Sequence, residues 1–215
     1  MKIEKKPGPS KPFDDPGGRD GWVPLLNGRD LTGCSAWDRN GLSSKSNFDQ
    51  IWSVRDGVLH GSGGPSHLFS PRFDYRNFRL RAEIKINDGG NSGLYFRAAK
   101  EAGYPKGHEA QIDSTHRDLI KTGSLDGLVN IDQSIVPPET WFTLEVEAVG
   151  ERIRIWVDGK SQVDYSDPKK AGRVRNPLHR VDVLAYPDAE SQLLALGPRY
   201  VVGGGPWTTS LASAA

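Results

Sequence analysis

Apolar and polar positions alternate most cleanly from Phe78 to Asn87. Phe78, Leu80, Ala82, Ile84 and Ile86 fall on one phase, and Arg79, Arg81, Glu83, Lys85 and Asn87 on the other. Successive strand side chains point to opposite faces, so this pattern predicts a long antiparallel strand with one face in a core. The same period returns at 141–149, with Phe142, Leu144, Val146 and Ala148 opposite Thr143, Glu145 and Glu147. It returns again at 152–157, with Ile153, Ile155 and Val157 opposite Arg152, Arg154 and Trp156, after a turn at Gly150. Shorter strands are expected at 51–54 and 58–61, joined by Asp56-Gly57, and at 67–70 and 162–165. Residues 38–50 read as a loop, and no window of comparable length carries a helical period. The chain is therefore expected to be all-β, a sandwich of short strands. Phe78, Leu80, Ile84, Leu144, Val146, Ile153 and Ile155 are its predicted core.

The candidate chemistry lies in Gly89–Asp113. Asn91-Ser92-Gly93-Leu94-Tyr95-Phe96-Arg97 is a glycine-entered strand, and Glu109-Ala110-Gln111-Ile112-Asp113 is a second. Alternation puts Gly93, Tyr95 and Arg97 on one face, and Glu109, Gln111 and Asp113 on one face. If the strands pair, Arg97, Glu109 and Gln111 share a surface. An ordinary exposed sheet shows the same alternation, and its Arg–Glu pairs contribute a fraction of a kcal/mol. The presence of Gln111, Tyr95 and Asn91, groups suited to hydrogen-bonding and stacking on sugars, favours a site.

Composition narrows the classes. Twenty-eight basic against 27 acidic residues leave a net charge of +1, which gives no electrostatic case for nucleic acid or membrane partners. No apolar run approaches the roughly 18 residues of a membrane span. The single Cys34 excludes an intrachain disulfide and a cysteine-based zinc site. Met1–Pro7 carries charge without an apolar stretch, so no signal peptide is expected, and the location and oligomeric state stay open. The 215 residues divide into a Lys/Pro/Gly/Asp lead at 1–20, expected to be disordered, a sandwich at 21–170, and a carboxyl part at 171–215.

Ordered motifs then carry a resemblance. Leu25-Leu26-Asn27-Gly28-Arg29-Asp30-Leu31-Thr32-Gly33, Trp52–Leu59, Tyr75–Glu83, Asn91–Arg97, His108–Asp113, Thr122-Gly123-Ser124-Leu125, Trp141 and Arg154–Gly159 follow one another at suitable spacing. The series resembles the 3-keto-disaccharide hydrolase domain, formerly a domain of unknown function, over residues 22–167. The resemblance implies a concanavalin A-like jelly-roll β-sandwich with a carbohydrate-facing concave sheet. It also implies hydrolysis of glycosides whose sugar carries a 3-keto group, in a family commonly exported by bacteria. Two departures stand out: Cys34 where the family usually has Trp, and no recognisable closing strands after Lys170. Residues 171–215 are accordingly expected to be irregular and the sandwich incompletely closed, through divergence or a shifted reading frame.

A 3-keto group acidifies the hydrogen at C2, so a base can take that proton and the C1 substituent can leave by elimination before water adds. On that reading Glu109 is base or acid, Arg97 and Gln111 orient the ketone or stabilise the enolate, and Asp113 or His116 makes the second proton transfer. Asn91, Tyr95 and Trp156 complete the substrate-binding candidates, Trp156 as a sugar platform on the polar phase of its strand. The competing mechanism is a two-carboxylate glycosidase using Glu109 and Asp113, whose Cα atoms stand roughly 13 Å apart along one strand. A non-catalytic, lectin-like carbohydrate-binding module is the other class. No cofactor is expected; the loop carboxylates Asp113, Asp118, Asp126 and Asp132 leave calcium open without an EF-hand pattern. His60, His67 and His108 lack ligand-like spacing, and no metal site is assigned.

Overall fold

The computed structural model describes residues 22–38, 40–63, 65–71, 77–99, 101–103, 105–166, 180–186, 192–195 and 201–203. Strands β1 (Trp22–Val23), β2 (Ser35–Asp38) and β3 (Gly41–Leu42) precede a short helix α1 (Lys45–Ile51). The hairpin β4 (Trp52–Arg55) and β5 (Val58–Ser62) follows, then β6 (Ser66–Phe69), β7 (Phe78–Ile86), β8 (Asn91–Ala98) and β9 (His108–Asp113). A meander of β10 (Phe142–Val149), β11 (Arg152–Val157) and β12 (Lys160–Ser166) leads to β13 (Arg180–Tyr186), β14 (Gln192–Ala195) and β15 (Val201–Gly203).

Two sheets form. The larger runs β12-β11-β10-β7-β14-β5-β4, with β15 also on β7 and β1 on β15; the smaller runs β3-β2-β6-β13-β8-β9. All these pairings are antiparallel. The non-sequential order is that of a concanavalin A-like jelly roll. The seven predicted core residues lie between the sheets, each 3% exposed or less. There they meet Leu94, Phe96, Ala110 and Ile112 from the smaller sheet. Sequence alternation therefore places the core correctly, and it leaves the opposite face of the smaller sheet for Tyr95, Glu109 and Gln111.

Three expectations are corrected. The 38–50 segment carries all of α1 but Ile51, which was expected in a strand; the helix has an exposed Lys45–Asp49 pair one turn apart (2.8 Å) and packs through Phe48 and Ile51. A helix of seven residues is too short to declare a period. The irregular-tail expectation gives way at 180–186, 192–195 and 201–203: β13 lies between β6 and β8, β14 between β5 and β7, and β15 on β7. The partners of both β13 and β14 lie far away in sequence, so a period-2 reading of the segment alone does not place them. Residues 1–21, 167–179, 187–191, 196–200 and 204–215 are outside the described residues, and so is what the sequence suggested for them.

The third correction concerns Trp156. It lies on the larger sheet's outer face, with the Arg79 and Arg154 guanidinium groups 5.3 and 5.2 Å from its ring centroid. Arg79 and Arg81 both grip Glu145 there, through Nε at 2.9 Å and a second nitrogen at 2.5 and 2.6 Å. The indole belongs to a cation–π and ion-pair ladder, not to the sheet that bears Glu109.

Candidate active site

Register decides which side chains meet. β8 and β9 pair with Tyr95 opposite Glu109, Gly93 opposite Gln111 and Asn91 opposite Asp113. Directly opposed residues share a face, so Tyr95, Glu109 and Gln111 come together as alternation predicts. Arg97 does not follow them. Between β8 and β13 the register shifts at this point, Phe96 pairing Val181 and Ala98 pairing Arg180, and Arg97 adopts a left-handed φ of 52°. The bulge inserts one residue, so Ala98 takes the phase assigned to Arg97 and packs with Tyr95.

Glu109 is 8% exposed and lies folded over Gly93. A Cβ at position 93 would stand 1.8 Å from Glu109 Oε1 and 2.6 Å from its carboxyl carbon, so only glycine lets the carboxyl rest there. Burial pushes this carboxyl up to about 8, reinforced by the charges of Asp126 and Asp118 and opposed by a hydrogen bond from Tyr95. Tyr95 is itself held edge-on to His67, with ring centroids 5.7 Å apart, and burial pushes that imidazole down to about 4, so it stays neutral.

Gln111 bridges outward. Its side-chain amide lies 3.1 Å from Asn91 Oδ1 and 3.2 Å from Glu109 Oε1. Asn91 Nδ2 lies 3.4 Å from His116 Nδ1, which also accepts the Asp118 backbone N–H at 3.1 Å. With Nδ1 accepting, the neutral ring carries its proton on Nε2.

The rest of the site comes from the chain after β9. Residues 114–121 leave the sheet, and 122–126 return along β9's free edge. Gln111 N–H donates to Ser124 O (3.0 Å), Gly123 N–H to Gln111 O (3.1 Å) and Asp126 N–H to Glu109 O (3.0 Å). This fold-back completes a cavity of about 570 Å³. Asn91, Glu109 and Gln111 line it from the strands, and His116, Arg117, Asp118 and Asp126 from the loop. The volume is ordinary for a small-molecule site. Burial and the Asp118 charge push the Asp126 carboxyl above its usual range.

Asp113 takes another position. Its side chain is fully buried behind the cavity, with both oxygens 3.2 Å from Lys121 Nζ and Oδ1 accepting the His116 N–H at 2.9 Å. It supports the loop and does not line the cavity, which removes it as a partner carboxylate for Glu109. Among the described residues, no group of three or more His, Cys, Asp or Glu is gathered to hold a metal ion. No described helix is long and apolar enough to cross a membrane.

Residues 21–196 match the family model of the 3-keto-alpha-glucoside-1,2-lyase-like domain. The chain belongs to that family. The match crosses the break at Lys170 and takes in β13 and β14, in agreement with their place in the sheets. A Bacteroides thetaiotaomicron 3-keto-disaccharide hydrolase is 29% identical over 89 residues, which are 37% of this chain and 28% of that protein. This chain thus aligns with less than a third of that relative. A candidate glycosyl hydrolase from Parabacteroides distasonis superposes with a TM-score of 0.65 at 20% identity, covering 85% of this chain and 93% of the other. Alginate lyase A1-II′, of polysaccharide lyase family 7, gives 0.54 at 12% identity over 82% and 96%. These two structures share the fold.

Within the 3-keto lyase-like domain, sequence reading located Asn91, Glu109, Gln111 and His116. It passed over Arg117 and took Asp118 and Asp126 only as loop carboxylates. The available signal was Thr122-Gly123-Ser124-Leu125, the segment that lies back along β9 and draws those residues over Glu109.

Proposed function

We propose that this chain cleaves glycosides of 3-keto sugars by elimination across C1–C2, with Glu109 as the base. The observation that carries the reading is the Glu109 carboxyl, desolvated at the cavity and pushed to about 8. A carboxylate of such basicity is matched to a carbon acid, far better than an ordinary carboxylate near 4. The family description and the relative's name, a lyase and a hydrolase of 3-keto glycosides, support the same substrate class.

Glu109 takes the C2 proton, and the electron pair enters the C2–C3 bond as the ketone oxygen gains charge. Arg117 and the Nε2–H of His116, both lining the cavity, supply positive charge and a donor to that oxygen. The enolate collapses to a C1=C2 double bond and the C1–oxygen bond breaks. The departing oxygen takes a proton from Asp126, whose affinity for it is raised. Water then adds at C1 and passes its proton to the Asp126 carboxylate, while Glu109, its proton exchanged with solvent in the interval, protonates C2 and yields the free 3-keto sugar. Elimination alone is lyase chemistry; with the water step the outcome is hydrolysis. Gln111 and Asn91 orient sugar hydroxyls. Glu109's burial also weighs against a lectin-like role, which needs no desolvated acid.

The test is turnover of a 3-keto disaccharide in deuterium oxide, read by mass and proton spectra against an enzyme-free control. Elimination and water addition place solvent deuterium at C2 of the product, and Glu109→Gln abolishes both release and label. Release without label would mean direct displacement at C1. Equal release from the parent disaccharide lacking the ketone would mean an ordinary glycosidase. Binding without release would mean a carbohydrate-binding module.

A further inference from the structure

Loop 114–120 carries three cavity residues without regular backbone pairing to hold them. Its amides rest on side chains instead: His116 N–H on Asp113 Oδ1 (2.9 Å), Asp118 N–H on His116 Nδ1 (3.1 Å) and Ile120 N–H on Asp118 Oδ1 (3.2 Å). Lys121 lies beneath them, its side chain 12% exposed beside an Asp113 carboxylate that is fully buried. Its ammonium reaches both Asp113 oxygens at 3.2 Å and also donates to the carbonyls of His116 and Asp118. An ammonium has three N–H donors, and here they meet one carboxylate and two carbonyls. A carboxylate with converging backbone carbonyls is the oxygen set that loops present to a hard cation.

We propose that Lys121 is the positioning residue of this site, a built-in cation whose charge gathers Asp113 and the His116 and Asp118 carbonyls and so sets the His116 and Asp118 side chains at the cavity. The assignment rests on the catalytic reading for what the two side chains do, not for how they are held. Arginine cannot substitute, because a planar fork does not deliver three divergent donors to one point. A small free ammonium ion can.

Lys121→Ala is the main variant, and Lys121→Met keeps the aliphatic stem while deleting the charge. Hydrogen exchange at residues 116, 118 and 120 is followed alongside global unfolding, with 1-propylammonium or 1-propanol added to Lys121→Ala. Exchange at those amides should quicken about tenfold or more in both variants, since charge-assisted bonds are lost, while amides of β7 and β10 hold their protection. Propylammonium, but not propanol, should restore the alanine variant, and turnover of a 3-keto glycoside should return with it through kcat. The proposal is overturned if the loop amides keep their wild-type rates, if propanol restores them equally, or if both variants lose global cooperativity. Should the wild type turn over no 3-keto glycoside, the exchange measurements still decide the role of Lys121, and the catalytic reading alone falls.

Discussion

Glu109 and Gly93 occupy one space: the carboxyl of the first lies where a side chain on the second would be, 1.8 Å from the position of a Cβ. The two residues are diagonal neighbours across β8 and β9, so the carboxyl is held over the sheet backbone and not free in the cavity. Gly93→Ala should therefore displace Glu109. The expected loss of stability is about 1–3 kcal/mol from overpacking, small beside a turnover loss on the order of 10²-fold. Denaturant unfolding and turnover of a 3-keto glycoside, run together, check the pair. An alanine variant with full turnover would mean that the position of Glu109 is not critical.

The raised Glu109 pKa fixes two pH dependences. As the proposed base, Glu109 must be ionised, and roughly a tenth is ionised at pH 7 with a pKa of about 8. With removal of the C2 proton limiting, the kcat/KM of the wild type should rise with pH and level off above about 8, and Glu109→Gln should lower it by about 10²–10⁴-fold. A rate that instead falls through pH 8, and keeps that fall in Asp126→Asn, would assign Glu109 the acid role.

Stability runs the other way. Between the ordinary value of 4.5 and about 8 the folded state holds a proton that the unfolded chain has released, so stability falls as pH rises through that window. The full loss is on the order of 5 kcal/mol. Glu109→Gln carries no such titration and should flatten this part of the unfolding profile, ending more stable than wild type above pH 8. Parallel wild-type and variant profiles would show that Glu109 ionises without cost.

Leu80 and Ile84 are fully buried between the sheets. Truncating either to alanine should lower stability by roughly 2–5 kcal/mol, measured by denaturant unfolding. A change below about 1 kcal/mol would mean that the sheets close over the gap.

What could be read from the chain followed physical rules of unequal reach. Strands with one face in the core declare themselves, so β7, β10 and β11 and their core residues were legible. The pairing of β8 and β9 through a short loop made Glu109 and Gln111 legible too. Arg97 misled because a left-handed bulge is recognisable in sequence when it holds glycine, and here it holds arginine. Arg117, Asp118 and Asp126 were hidden because their placement comes from a loop folding back on a strand edge, which leaves no period. Lys121 reads as one more surface lysine until its three donors are traced to their acceptors.

The carboxyl strands were the least legible, and they carry the strongest consequence for folding. β13 sits in the middle of the smaller sheet, Val183 opposite Leu68 on one side and Leu94 on the other. Without it β6 and β8 would have no common neighbour, and the sheet bearing Glu109 and Gln111 would split into β3-β2-β6 and β8-β9. β14 likewise joins β7 to β5 in the other sheet. The domain therefore does not end near residue 170, and a chain stopped there loses the centre of one sheet and a bridge in the other. Such a chain should show no cooperative unfolding transition. Val183→Pro makes the same point with one atom group: proline has no N–H to give and does not fit a central ladder, so it should cost about 3 kcal/mol or more. Far-ultraviolet and tryptophan fluorescence melts of both against the full chain decide it. A cooperative transition in the truncated chain near the wild-type midpoint would mean that β6 and β8 can close on each other without β13.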